Sequence, residues 1–186
     1  MPTYRQNKVD GTKDGKEYSY GFPFLNNDNI LKLDSFCKDN KMTLVLKWHG
    51  LQNCSACLQT ENIVFVTSDD LAKYDESLNS FLSISDALIT DYSSVFINYL
   101  LLNMPICFAY DDMEFYKNNR GFMFDDIESC MPGFKAESFE SLLDFLTEIS
   151  HGIDSTKSTR IDKLPFFNKY MDNQNSLRLL KYLGII

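Results

Sequence analysis

The chain predicts an α/β fold, a parallel sheet with helices on both faces. Three observations support it. Short apolar runs (Met42–Trp48, Ile63–Val66, Ala87–Thr90, Ile106–Tyr110) alternate with segments of helical spacing. Those runs are apolar almost throughout rather than in alternation, as strands buried on both faces require. The segment Ser85–Phe96 passes from strand to polar turn to apolar helix, the basic repeat of such folds.

Taken in order, residues 1–28 are polar, aromatic and glycine-containing and read as an irregular opening segment. Ile30, Leu33 and Phe36 share one face of a helix expected over Asn29–Asn40. A strand over Met42–Trp48 is stopped by His49-Gly50, and a second covers Ile63–Val66. Asp69 or Asp70 is expected to cap a helix that continues in pieces to Ile84. After the strand 87–90, a helix from Ser94 to Asn103 leads to a strand begun by Pro105. Asp112–Asn118 reads as helical, and Ser138–Ile149 as an amphipathic helix capped by Ser138. His151–Lys163 reads as a polar connection, and residues 164–186 as a C-terminal tail whose helix, Asn175–Leu183, is capped by Asn175 or Ser176.

With 186 residues, 44% of them hydrophobic, the chain is long enough for a single domain, 1–186, with a real core. Its formal net charge is −8, and between Asp111 and Glu148 ten acidic residues face three basic ones. A phosphate backbone needs a basic footprint, so nucleic acid is excluded as the main partner. No run reaches the length of a membrane span. Five cysteines, an odd number, suit a reducing compartment better than a disulfide framework. Cys54-Ser-Ala-Cys57 has no second ligand pair to close a zinc site, so no metal and no cofactor are assigned. The glycine-rich phosphate fingerprints of dinucleotide dehydrogenases and P-loop NTPases are absent from the sequence.

In parallel sheets ligands sit beyond the carboxyl ends of the strands. Three groups therefore stand out. Lys47-Trp48-His49 brings a cation and an imidazole to one strand end, although Trp48 is equally a core residue. Ser93-Ser94 brings two hydroxyls to a helix start, where a phosphate is stabilised; helix capping alone explains one of them. Arg120, next to Gly121, offers a guanidinium with bidentate geometry for phosphate, or a surface ion pair with Asp125 or Asp126. Converged, these groups would hold a diphosphate and stabilise charge on a departing phosphate.

At this point the residues carry a resemblance. Asp86-Ala-Leu-Ile-Thr-Asp-Tyr-Ser-Ser-Val-Phe-Ile-Asn98 resembles the signature of the CDP-glycerol glycerophosphotransferases, the teichoic-acid primases and polymerases. Met1-Pro-Thr-Tyr-Arg5 is similar to the approach to that family's second domain, and Lys47-Trp-His49 to its basic-x-His element. Phe115-Tyr116 through Arg120-Gly-Phe122, Met131-Pro-Gly133 and Phe167 to Arg178 resemble further family segments, in the same order.

The resemblance implies a Rossmann-like sheet, the C-terminal half of a glycosyltransferase-B fold, binding a nucleotide donor. It implies CDP-glycerol, or a related CDP-alcohol such as CDP-ribitol, held by Pro2, Thr3, Lys47, Trp48, His49, Ser93, Ser94, Asn98 and Arg120. His49 would be the catalytic residue, and a polyol-phosphate or teichoic-acid chain the acceptor. Gly50 stands where the family usually has Pro, Asn98 where Asp is typical, and Asp172-Asn-Gln where Asp-Gly is usual. The family's acceptor-binding N-terminal domain has no counterpart here, so the isolated chain is expected to bind donor and turn over poorly. The same resemblance implies a cytoplasmic, membrane-peripheral setting for the full-length enzyme. Two rival readings are a CMP-sugar-using, sialyltransferase-like domain and a non-catalytic, receiver-like α/β module, the latter on the loose acidic set Asp91, Asp111 and Asp112.

Overall fold

The computed structural model describes residues 3, 15, 16, 18–48 and 57–186. Among these residues are five strands, β1 (Leu44–Lys47), β2 (Ile63–Val66), β3 (Leu88–Thr90), β4 (Ile106–Ala109) and β5 (Phe134–Ala136), and all pair in parallel. They form two sheets rather than the single sheet expected, one ordered β1-β2 and the other β3-β4-β5. The short strand β5 escapes the sequence reading because only three residues pair, and Lys135 in their middle is exposed.

The central strand β4 shows why these sequences are apolar on both faces. Cys107 and Ala109 point into one cluster, with α1 (Asn27–Asp39) and α6 (Phe139–Ser150). Ile106 and Phe108 point into the opposite cluster, with α4 (Val95–Tyr99). Helix α1 buries Ile30, Leu33 and Cys37, and α6 buries Phe139, Leu142, Phe145 and Leu146. Each buried side chain of this size contributes roughly 1.5–3 kcal/mol.

Several caps differ from expectation. Thr67, not Asp69 or Asp70, heads α2 (Ser68–Lys73), and Asp70 answers it in a reciprocal capping box. The helix after β3 is α4 completed by a 3₁₀ turn over Leu100–Leu102, ended by Asn103 at φ 51°. Gln174, rather than Asn175 or Ser176, precedes the last helix, α8 (Asn175–Tyr182), without a side-chain cap.

The segment read as a polar connection, His151–Lys163, carries the first part of α7 (Lys157–Phe167). Its helical apolar period is weak because one buried cation fastens it. Arg160 is 1% exposed and donates to Asp154, Thr156 and the Asn103 carbonyl. Phe167 then packs edge-on against Phe96 of α4. Cys57 is disulfide-bonded, so the thiol reading holds for Cys37, Cys107 and Cys130. No helix among the described residues is long and apolar enough to cross a membrane.

Met131-Pro132-Gly133 turns the chain into β5 so tightly that a Cβ on Gly133 would lie 2.4 Å from the Ile106 carbonyl oxygen. Backbone cannot yield as a flexible side chain does. Gly133→Ala is expected to lower unfolding free energy by about 1–3 kcal/mol in urea melts. An unchanged midpoint would contradict this packing.

Candidate functional site

The carboxyl ends of the strands gather the polar residues that the sequence singles out. One residue beyond β3 lies Asp91, completely buried. Its carboxylate accepts the Thr3 N–H at 2.9 Å, the Thr3 hydroxyl at 2.7 Å and the Ser93 N–H at 3.1 Å. A buried carboxylate is tolerated only when it is well hydrogen-bonded, so Asp91 fixes both Thr3 and the turn that carries Ser93 and Ser94. Ser94 sits at the N-cap of α4, yet its side chain makes no cap hydrogen bond. The capping explanation for the serine pair therefore does not account for Ser94.

A parallel arrangement ends β4. Asp112, 4% exposed, accepts the Lys16 N–H at 3.0 Å and the Tyr92 hydroxyl at 3.1 Å. Lys16 also reaches Asp111 with its ammonium at 3.1 Å, and Tyr18 donates to the same carboxylate. Thr3 and Lys16 are thus tied to the sheet rim by two buried acids.

Tyr92, next to Asp91, connects the serine turn to Arg120. Its ring lies 4.8 Å from Tyr116 and 5.1 Å from Phe122. Tyr116 belongs to α5 (Met113–Asn119), and Arg120 is that helix's C-cap. Gly121 follows at φ +78°, the left-handed conformation that lets the chain leave the helix and return Phe122 to the cluster. The aromatic contacts explain the spacing Tyr116…Arg120-Gly-Phe122: they dock the Arg120 turn against the residue that separates Asp91 from Ser93. Arg120 itself is exposed.

At the end of β1, Lys47 is 6% exposed and donates to the Trp48 carbonyl and the Ser68 hydroxyl. Burial pulls its pKa below the ordinary lysine value. Trp48 donates its indole N–H to the Tyr20 carbonyl at 3.1 Å and packs 5.0 Å from Phe65, which is a packing role. Asn98, one turn beyond Ser94, is exposed and donates to Asn79 at 3.3 Å. The assignments to Pro2 and His49 fall outside the described residues. Among the described residues, no group of three or more His, Cys, Asp or Glu is placed to hold a metal ion.

Asp91 and Asp112 are the residues for which sequence reasoning missed a structural role. Asp91 directly follows β3 and Asp112 lies three residues beyond β4, positions where a carboxylate has backbone N–H groups to accept. That was the available signal.

Two predictions follow from this geometry. In a double-mutant cycle, Thr3→Val and Asp91→Asn should couple by about 1–2 kcal/mol in urea unfolding, because each removes the other's partner; additive losses would contradict the contact. For Lys47 the folded state binds its proton less tightly than the unfolded chain. Unfolding then takes up protons between the two pKa values, and stability rises with pH there. Wild-type stability relative to Lys47→Met should therefore increase on approach to pH 10, read from melts at a series of pH values. A flat or falling difference would contradict the buried ammonium.

Comparison with known proteins places this architecture. The chain is 28% identical over 165 residues to the teichoic acid ribitol-phosphate polymerase TarK of Staphylococcus aureus, covering 87% of this chain and 30% of that one. It is 36% identical over 141 residues to a teichoic acid poly(glycerol phosphate) polymerase of Bacillus spizizenii, covering 72% and 32%. The chain thus spans less than a third of these relatives. The solved structure of the wall teichoic acid polymerase TagF superposes with a TM-score of 0.58 at 26% identity, over 98% of this chain and 41% of that one. The profile of CDP-glycerol:poly(glycerophosphate) glycerophosphotransferases matches residues 1–184. This chain belongs to that family.

Proposed function

We propose that the chain is the donor-binding part of a transferase that moves glycerol phosphate from CDP-glycerol to a polyol-phosphate acceptor, releasing CMP. The observation that carries the reading is the turn after β3. Buried Asp91 fixes its backbone, and Ser94 heads α4 with a hydroxyl not used as a cap. A preorganised pair of hydroxyls at the carboxyl end of a parallel strand is suited to oxygen atoms of a diphosphate.

In the reaction an acceptor hydroxyl attacks the β-phosphorus of the donor. The bond from that phosphorus to the bridging oxygen breaks, and the electron pair leaves with CMP. Ser93 and Ser94 hold the diphosphate. His49 stabilises or protonates the departing phosphate, assisted by Lys47 and Arg120. Lys47 suits this task because a buried ammonium gains from a phosphate partner more than a solvated one does. Thr3, held by Asp91, together with Pro2, Trp48 and Asn98, completes the proposed donor-binding set. Acceptor binding and the general base belong to the N-terminal part of a full-length enzyme, so this chain alone binds donor without efficient transfer.

Relatives named for ribitol phosphate and for glycerol phosphate both match, so CDP-ribitol serves as the comparison ligand. Titration calorimetry with CDP-glycerol, CDP-ribitol and CMP-sialic acid reads the donor class. Binding of a CDP-alcohol is expected to weaken about tenfold or more in the Ser93→Ala/Ser94→Ala double variant, the cost of one or two charge-assisted hydrogen bonds. Unchanged affinity, or preference for CMP-sialic acid, would overturn the assignment.

A further inference from the structure

Beyond the serine turn, α4 carries one more polar side chain outside the core. Val95, Phe96 and Tyr99 are buried and Ile97 is half-buried, whereas Ser94 at the N-cap and Asn98 are exposed. Side chains at that spacing share one face of a helix, with Cβ atoms about 5–6 Å apart. Asn98 therefore stands one turn along from the Ser94 hydroxyl that makes no cap hydrogen bond.

A neighbouring helix holds it. Helix α3 (Leu78–Ser83) is fastened to α4 by Leu82, buried in one cluster with Val95, Phe96 and Tyr99. The buried Tyr99 hydroxyl also donates to the Ser85 carbonyl, just beyond α3, at 3.0 Å. From this platform Asn79 accepts the Asn98 side-chain N–H at 3.3 Å. Asn168, the C-cap of α7, donates to the Ile97 carbonyl at 3.0 Å, so the backbone beside Asn98 is fixed as well. Asn79 and Asn98 are both exposed, so their contact adds nothing to the core; what it sets is the orientation of an amide. With its nitrogen engaged, Asn98 keeps its carbonyl oxygen as an open acceptor among the described residues.

We propose that Asn79 is a positioning residue of the donor site: it holds the Asn98 amide by its nitrogen so that the oxygen accepts a hydroxyl of the donor, which rests on the donor-binding reading of the Ser93–Ser94 turn. A CDP-linked alcohol carries free hydroxyls a few bonds from phosphorus on either side, on the ribose and on the alcohol. Either reaches across one helical turn of about 5.4 Å from a diphosphate at Ser94. Both offer the same O–H donor. The amide oxygen takes it as a neutral acceptor, without placing a second negative charge beside the diphosphate. An amide free to rotate would lose that freedom on binding, and the contact with Asn79 removes much of this cost in advance.

Titration calorimetry with CDP-glycerol, its 2′,3′-dideoxycytidine analogue and CDP-propanol tests this. The quantity read is the factor by which removing hydroxyls weakens binding to one and the same protein, so a charge introduced at position 79 cancels. In the wild type the factor is expected to be about three- to tenfold for one analogue, which names ribose or alcohol as the source. In Asn98→Leu and in Asn79→Leu it should fall below about twofold, and Asn79→Asp, which accepts the same N–H, should keep the wild-type factor. Wild-type affinities within about twofold for all three ligands would overturn the proposal. So would a factor unchanged by Asn98→Leu, one kept in Asn79→Leu, or one lost in Asn79→Asp. The Ser93→Ala/Ser94→Ala variant separates the two readings. Unchanged CDP-glycerol affinity there overturns the donor reading and this role with it, whereas weakened affinity there without an effect at position 79 overturns the positioning role alone.

Discussion

The Asp91 carboxylate is the constraint on which this rim depends. It is buried completely, and accepts N–H and hydroxyl hydrogens from Thr3 together with the Ser93 N–H. An acceptor-only group out of water must be satisfied by protein, and one of the residues that satisfies it here, Thr3, is 88 positions away in sequence. Thr3 and the serine turn are therefore held in one geometry before any ligand arrives. Preorganisation of this kind makes hydroxyls and N–H groups effective on a phosphate, because no reorganisation is needed at binding.

Around that point the sheet ends repeat the same physical solution. Asp112 does for Lys16 and Tyr92 what Asp91 does for Thr3 and Ser93. The ring of Tyr92, clasped by Tyr116 and Phe122, carries the Arg120 turn toward the serines. The sequence separation of these groups is large, yet each link is a short contact of known chemistry. The donor-binding role proposed for this rim rests on that geometry together with membership of the glycerophosphotransferase family.

Much of this was legible in the chain. The apolar strands, the amphipathic helix capped by Ser138 and the strand–turn–helix at 87–102 follow from local patterning, which burial on two faces imposes. What local patterning does not encode is long-range. Helix α7 owes its place to Arg160 reaching Asp154 and the Asn103 carbonyl, and a cation reads as surface in any window. Strand β5 is three residues long with an exposed lysine, below what alternation can reveal. For Asp91 and Asp112 the sequence offers only the hint of an acid beyond a buried strand, because their partners, Thr3 and Lys16, lie far away in sequence. The split into two sheets is likewise a statement about neighbours, and no single strand records it.

The central claim is that a CDP-linked donor places its diphosphate at the carboxyl end of β3. Backbone amide shifts of the ¹⁵N-labelled chain during CDP-glycerol titration test it most directly. The account predicts that the Ser93, Ser94 and Val95 resonances move together and saturate at one dissociation constant. Saturable shifts confined to other parts of the molecule, with these three unmoved, would contradict it.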